Sequence, residues 1–483
     1  MKNLNITKEN AIALIVLSII YTIPIILANV YYTDDMKRII YGYGWDHDGR
    51  FIASYLMMAL SFGDIIVSSY PFSLIMSSLI ILASGVIITN TLDLEKNLKI
   101  KLSPLILLVS PFFLENLAYR YDNIPMSLSI LFALLPFVFF TKKYFIPVSI
   151  ACLFLSFGSY QTSVMIYFSM LTCIQIKNLT TNNTKILFNL LFSCVISFIL
   201  AYFLYKKSLD LLGIELSRSK IMPINNFIVN IKERIERYFH IFNSLFYQSK
   251  YIYAAFPLLL LCIISLFENI IKNNKSLSVM LFKFLSIFFL YILVCIIMLI
   301  PNIILDTIWY TARTMIGFPF AIYALLIFIP YLYKKYIKII YYSSISLLLY
   351  FCFLFSSLFG EVLKNNNDYF NFITESVSMQ ITNNSNNKEI SIAISGSAPI
   401  PERSKLIYKN YPFLYILAPF YMIEGWSWGV SDLSRYINYS WSENTDQMIN
   451  DRCTMDILYK SSIYFLRKKN DDYLIDFNMV NCK

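Results

Sequence analysis

YTDDMKRIIYGYGWDHDGRFIASYLMMALSFG, Tyr32–Gly63, is a charged island in an apolar chain. It follows the hydrophobic run Ala11–Val30 and gathers Asp34, Asp35, Asp46 and Asp48 with Lys37, Arg38, His47 and Arg50. Carboxylates and fixed cations packed between lipid-soluble segments point to chemistry at a membrane surface. They suit a substrate that is partly anionic and partly lipid.

The rest of the chain agrees with a membrane setting. Of its 483 residues 57% are hydrophobic and 14% charged, and the mean hydropathy is +0.59. A soluble domain carries about 25% charged residues. Repeated apolar runs of about 20 residues read as membrane-spanning helices, so the expected fold is an all-α polytopic membrane protein. The net charge of +10 is then no nucleic-acid signal, because the excess lysines sit in short loops where they set topology. Cys152, Cys173, Cys194, Cys262, Cys295 and Cys352 lie inside apolar runs and behave as small apolar residues. No Cys/His spacing suggests zinc, and His47 and His240 are the two histidines.

Hydropathy and the lysine pattern predict eleven crossings, with the N-terminus in the cytoplasm and the C-terminal tail outside. Ala11–Val30 reads as an uncleaved first helix, since a signal-peptide core is shorter and ends at a small-residue cleavage site. Further spans are expected at Pro71–Leu92, Pro104–Leu114, Ile124–Phe140, Ile186–Tyr205, Tyr251–Ile271, Val279–Leu299, Met315–Tyr333 and Ile339–Phe359. Phe145–Ile176 is too long for one span and is interrupted at Gly158-Ser159-Tyr160-Gln161-Thr162, so it reads as two short helices meeting outside. A re-entrant segment there is the alternative. Lys142, Lys143, Lys177, Lys185, Lys272, Lys275, Lys334, Lys335 and Lys338 then fall on the cytoplasmic side.

Three pieces do not span. Phe51–Leu60 is apolar but short, and is expected at the outer interface. Phe227–Lys250 carries Ile228, Ile231, Ile235, Phe239, Phe242 and Phe246 at helical spacing, against Lys232, Glu233, Glu236 and Arg237. That pattern predicts an amphipathic helix on the outer leaflet. Residues 361–483 form a polar tail long enough for a small α/β domain, set off from a transmembrane domain over 1–360 with outer loops at 31–70 and 206–250. In the tail, Ile390, Ile392 and Ile394 alternate as in a half-buried strand. Ser462–Leu466 and Tyr473–Phe477 flank KKNDD as in a hairpin, and Asn383–Asn387 reads as a linker.

The dense charge clusters all fall on the outer side. In the adjacent pair Asp34-Asp35 one carboxylate can hold a raised pKa and act as a base; a solvated loop that helps orientation is the structural alternative. FFLENLAYRYDN, residues 112–123, sets Glu115, Arg120 and Asp122 between two short helices, facing either a polar cavity or one another as ion pairs. Arg50 and Arg313, the latter in WYTARTMIGF, offer planar forks suited to phosphate, or snorkel at the interface. Tyr41, Tyr43 and Trp45 fit a membrane belt or a sugar platform. Tyr160 and Gln161 can bind a sugar or cap their own turn. Trp426 and Trp428 fit a domain core or a ligand platform. Cys453 and Cys482 can pair as a disulfide if the tail lies outside.

The order YYTDDMKRIIYGYGWDHDGR, SPFFLENLAYRYDN, SYQTS and then ART before a helix resembles the bacterial O-antigen glucosyltransferases of the serotype-conversion (Gtr) family. The first two motifs are the specific ones, and the likeness covers nearly the whole chain. It implies a GT-C type membrane glycosyltransferase of the bacterial inner membrane with its active site and C-terminal domain in the periplasm. Such an enzyme moves a hexose, usually glucose, from a polyprenyl phosphate to a sugar of the lipid-linked O-antigen repeat. The resemblance also implies partners that charge and flip the donor, a tail that contributes acceptor specificity, and a first-loop carboxylate as base, here Asp34 or Asp35. Arg50, Arg120 and Arg313 are then candidates for the departing phosphate, with Glu115, Asp122, Tyr160 and Gln161 as supporting or sugar-binding groups. Some GT-C enzymes use a divalent metal, and no spacing here demands one. A polyprenyl-phosphate-sugar flippase would explain spans and outer cations but leaves the tail unexplained. An assembly scaffold would leave the first-loop carboxylates unexplained. An O-acyltransferase would need His47 or His240 as base.

Overall fold

A computed structural model describes residues 6–482 except 181–184, 215, 217–221, 274–275, 306–310, 330–334, 385–389 and 443–444. Lys275, Lys334, Trp309-Tyr310 before Arg313, most of the Asn-rich linker, and the side chains of Lys185, Ile228 and Lys335 lie outside the described residues. The chain divides into two compact units, residues 1–26 with 42–357, and residues 27–41 with 358–483.

The first unit is helical. Its elements are α1 (Lys8–Ala28, whose last residues pass to the second unit), α3 (Phe51–Ser61), α4 (Phe72–Thr91), α5 (Leu114–Ala118), α6 (Asn123–Leu134), α7 (Phe145–Ser159) and α8 (Val164–Thr180). They continue with α9 (Lys185–Leu212), α10 (Ile224–Asn243), α11 (Tyr251–Asn273), α12 (Leu277–Ile297), α13 (Ile300–Ile304), α14 (Pro319–Leu326) and the start of α15 (Lys335–Asn384). The intervening α2 (Asp35–Tyr41) belongs to the second unit. Among the described residues six helices are long and apolar enough to cross a membrane, namely α1, α4, α9, α11, α12 and α15. Their outward faces carry large apolar side chains such as Phe188, Phe203, Leu277 and Phe289, as lipid contact requires.

Six is fewer than the eleven expected, and the difference has local causes. Pro104–Leu114 is not a helix. It runs as 3-10 turns at Ser103–Leu105 and Pro111–Phe113, nearly every residue buried. Two prolines remove backbone donors and break the helical ladder, and irregular backbone is tolerated at membrane depth where protein encloses it. Gly85 on α4 lets it approach, since a Cβ there would collide with the Pro104 carbonyl oxygen. Of the segment expected as a span over Met315–Tyr333, the described residues 315–329 hold an eight-residue helix flanked by turns. Ile124–Phe140 changes to a 3-10 turn at Leu135, next to Pro136. Phe145–Ile176 does split, into α7 and α8 around Tyr160–Ser163, and each half is shorter than the about 20 residues of a full span.

α10 carries the predicted apolar stripe, and Ile235 and Phe239 on it are exposed. The side next to that stripe is held by polar contacts: Arg234 donates to the carbonyls of Asn302 and Ile303 (3.2 and 2.6 Å), and Tyr238 to that of Leu299 (3.4 Å). The loop Leu94–Lys101, whose lysines predict a cytoplasmic position, is anchored by a carboxylate. Glu95 is buried and accepts from Leu102 N, Ser103 N, Ser103 Oγ and Tyr341 Oη at 2.5–3.1 Å.

The second unit is α/β. Its strands are β1 (Ile390–Ser395), β2 (Tyr439–Trp441), β3 (Asp456–Lys460), β4 (Phe465–Lys469) and β5 (Asp472–Asp476), in the order β2-β1-β5-β4-β3. β1 runs parallel to both neighbours, while β3, β4 and β5 pair antiparallel. The helices are α2, the polar half of α15, α16 (Glu402–Asn410), α17 (Phe413–Leu417), α18 (Trp428–Ser431) and α19 (Thr445–Asn450). Ile390, Ile392 and Ile394 pack with Phe370, Ile373 and Val377 of α15, while Ala393 and Leu474 on the other face meet Met448 and Met455. β1 is thus covered on both sides rather than half-buried. Its alternation pairs large with small apolar residues, not apolar with polar ones. The β4–β5 hairpin forms, with strands that extend into the KKNDD run.

Candidate functional site

The first unit brings four separate segments into one polar knot. GWDHDGR folds as a 3-10 turn, Asp46–Asp48, closed by Gly49 at φ +73°. A side chain there would be strained, and its Cβ would also meet Tyr205 Oη at 2.6 Å. The turn delivers Arg50 to the start of α3, where its fork is taken bidentately by Asp122, at 2.8 Å from Nη1 and more closely from Nη2. Arg50 Nε donates to the Ser159 carbonyl at 2.6 Å, and the guanidinium lies over the rings of Trp45 and Tyr160 at 5.6 and 5.0 Å. Burial opposes the Arg50 charge, but Asp122 outweighs it and holds the guanidinium's pKa above its ordinary value.

Tyr160 extends the knot. Its hydroxyl donates to the Arg313 carbonyl at 3.2 Å, and burial pushes its own pKa up. Arg313 in turn donates its backbone N–H to Glu115 at 2.9 Å, sets its Nε 3.8 Å from the same carboxylate, and bonds Tyr119 Oη. Gln161 donates to the Asp48 carbonyl (2.8 Å) and to Tyr205 Oη (3.2 Å), whose own hydroxyl reaches the Gly49 carbonyl at 3.1 Å. Arg120 is buried with its guanidinium 4.3 Å from the centroid of Tyr70. Arg50, Glu115, Arg120, Asp122, Tyr160, Gln161 and Arg313 therefore all stand in the first unit, and all but Arg120 are linked through these contacts. Tyr70, Tyr119 and Tyr205 complete the surroundings and had not been singled out in the sequence. Tyr119 lies inside the 112–123 motif, while Tyr205, at the end of an apolar run, gives no signal of its own.

Asp34 and Asp35 belong to the second unit. Thr33 adopts φ +45° and the chain turns into α2. Asp35 at the helix start is fully buried and accepts from Tyr32 N at 3.4 Å, while Asp34 is half-buried. The turn is fastened to the tail: Tyr32 Oη donates to the Leu417 carbonyl (2.5 Å), and Thr33 N donates to Tyr421 Oη (3.1 Å). Tyr41 and Tyr43 are exposed, Trp45 is buried, and His47 and His240 are exposed. Trp426 is exposed and meets Trp428 edge-on at 4.7 Å, and Trp428 packs partly on the core. Cys453 and Cys482 are joined by a disulfide. Beside it Arg467, fully buried, donates to Asp476 at 3.0 Å and to the Arg452 carbonyl at 3.1 Å. Among the described residues no group of three or more His, Cys, Asp or Glu side chains is placed to hold a metal ion.

Several long apolar helices with a buried arginine–carboxylate knot define a polytopic α-helical membrane protein carrying a polar site. The profile of the family Glucosyl transferase GtrII matches residues 23–331, and the chain belongs to that family. It is also 28% identical over 252 residues to an uncharacterized 55.3 kDa protein encoded in the gtrB 5' region of Salmonella phage P22, covering 49% of this chain and 50% of that protein. The chain thus spans about half the length of the curated relative it matches. No solved structure matches it significantly.

Proposed function

We propose that the protein is a membrane glycosyltransferase that moves a hexose, glucose by family resemblance, from a polyprenyl-phosphate sugar to a sugar of a lipid-linked O-antigen repeat. The reaction takes place at the periplasmic face of the bacterial inner membrane. The observation that carries the reading is the family match over residues 23–331, which embraces both charge clusters. The joining of Arg50, Asp122, Tyr160, Arg313 and Glu115 in one buried network supports it.

The step is an inverting displacement. The acceptor hydroxyl oxygen forms a bond to the anomeric carbon, the bond from that carbon to the phosphate oxygen breaks, and the phosphate departs with the electron pair. Asp34 takes the hydroxyl proton. It is the more accessible of the two first-loop carboxylates, and a base must reach the proton it removes. Asp35 is sealed inside and positions the turn through Tyr32 N. Arg313 is the phosphate candidate with more of its side chain exposed, 17% against 8% for Arg50, whose fork Asp122 occupies. Arg50 and Asp122 then set the shape of the loop, and Arg120 is the third cation available to the leaving group.

The test is the hexose content of lipopolysaccharide, by mass spectrometry, from cells that contain donor and O-antigen and express wild type or Asp34→Asn. An added hexose in wild type, lost with the well-expressed variant, supports the reading. No added hexose in wild type sinks it.

A further inference from the structure

The second unit contains a cleft lined by residues to which the transfer step above gives no role. It has a volume of about 650 Å³ and lies between α2 and the segment 427–441 that leads into β2. That is within the range of about 300–1,000 Å³ typical of small-ligand sites. Lys37 and Tyr41 form one wall, and Tyr436, Asn438, Tyr439 and Trp441 much of the other.

The chemistry of this lining is specific. Four aromatic side chains line it, and the negative quadrupole of a ring face attracts polarised C–H groups, while Asn438, Lys37 and the Tyr41 hydroxyl supply donors and acceptors; the Tyr436 hydroxyl is held by Glu375 at 2.9 Å. A pyranose ring has that same division, with an apolar C–H face and a rim of hydroxyls. Phosphate recognition would call for converging cations. Here Arg435 is answered by Asp432 at 2.8 Å, which leaves Lys37 as the cation facing the cleft. A polyprenyl chain would call for a wholly apolar groove, which this is not.

α2 also links the cleft to the first-loop carboxylates. At about 1.5 Å rise per residue, the wall residues Lys37 and Tyr41 stand within about 10 Å, measured along the helix axis, of its first turn. That is the span of one or two sugar units.

We propose that this cleft seats the acceptor oligosaccharide, with α2 as the ruler between the bound sugars and Asp34. The assignment of the ligand as acceptor rests on the transferase reading above; sugar binding itself rests on the cleft.

The experiment titrates the full-length protein in nanodiscs with short fragments of bacterial O-polysaccharides, read by saturation-transfer NMR. At least one fragment is expected to bind wild type and Asp34→Asn alike, and to bind Tyr41→Ala and Tyr436→Ala about tenfold more weakly, a change of about 1.4 kcal/mol. Both tyrosines are exposed, by 72% and 46%; Tyr436→Ala gives up one exposed hydrogen bond to Glu375 (2.9 Å), so Tyr436→Phe, which also loses that bond but keeps the ring, should bind like wild type. Equal binding by wild type and both alanine variants overturns the proposal, and so does a wild type that glycosylates an acceptor yet binds no fragment. Binding that depends on both tyrosines in a protein that never transfers a hexose upholds the cleft and removes the transferase reading.

Discussion

Asp122 grips Arg50 through both nitrogens of its fork, with side-chain exposures of 4% and 8%. A buried pair is costly to break because the surviving charge stays uncompensated, about 3–5 kcal/mol. Asp122→Ala should therefore lower stability by about 3 kcal/mol in detergent unfolding, while the paired change Arg50→Met/Asp122→Leu should recover much of it. A double variant no better than the single one would mean the ion pair is not what holds this corner. Arg50→Lys should also fail, since an ammonium cannot hold two carboxylate oxygens, the Ser159 carbonyl and two ring faces together. At the first-loop pair, Asp34→Asn should cut transfer by about 10²–10⁴, the worth of a general base, and leave the melting temperature alone. Asp35→Asn should act chiefly on stability, because its carboxylate is enclosed. Reversed phenotypes would exchange the two roles.

Among the elements, the loop after α4 shows how a topology signal can hide a structural part. LEKNLKIK reads as a cytoplasmic lysine loop, and its one carboxylate looks incidental. In the fold, Glu95 holds the loop against α15 through Tyr341, with Lys338 and Tyr342 donating to the carbonyls of Asn97 and Ile100. Burial raises the Glu95 pKa, only partly offset by the Ser103 and Tyr341 hydrogen bonds. The folded chain therefore holds the proton more tightly than the unfolded one. The resulting stabilisation is full below about pH 4.3, the unfolded value, and fades as pH rises through the raised folded value. Thermal unfolding of wild type against Glu95→Gln should show wild type losing ground as pH rises from acid to neutral. A difference that does not change with pH would remove Glu95 as its source. Glu95→Ala, which takes the acceptor from Leu102 N, Ser103 N and Tyr341 Oη and leaves the Ser103 hydroxyl with Thr89 alone, should be worse than Gln at every pH. α10 was legible because its period is local, whereas Pro104–Leu114 was not. Its apolar composition is that of a span, and only its enclosure by neighbouring protein allows it to be irregular.

At the scale of the molecule, the chain forms two units whose boundaries are not those of a simple head and tail. Residues 27–41, including Asp34 and Asp35, fold with residues 358–483, so the first-loop carboxylates are structural company for the C-terminal domain. α15 contributes to both units along its 50 residues. Within the second unit the Cys453–Cys482 disulfide closes a separation of 29 residues, a loop that chain-entropy arguments value at about 3.5 kcal/mol. Cys453→Ser/Cys482→Ser should lower the stability of that unit by a comparable amount, and reduction of wild type should do the same. An unchanged melt would show that the Arg467–Asp476 pair and its carbonyl contacts hold the C-terminus alone. An alkaline-phosphatase fusion at the C-terminus should be active if the tail is periplasmic. An inactive, well-expressed fusion would reverse the orientation.

By itself the sequence determined the membrane class, the break within Gly158–Thr162, the amphipathic α10, a strand at Ile390, Ile392 and Ile394, the final hairpin and the family. Each rests on periodicity, composition or a contiguous motif, which are properties of neighbouring residues. Tertiary structure decided which apolar runs are long helices and which are enclosed irregular backbone. It also decided that β1 is covered on both faces, that Arg50 spends its fork on Asp122, and that the first-loop aspartates fold with the tail. These depend on residues tens to hundreds of positions apart. Their pairing is set by which buried charges and backbone groups can be satisfied together, and no local pattern records that.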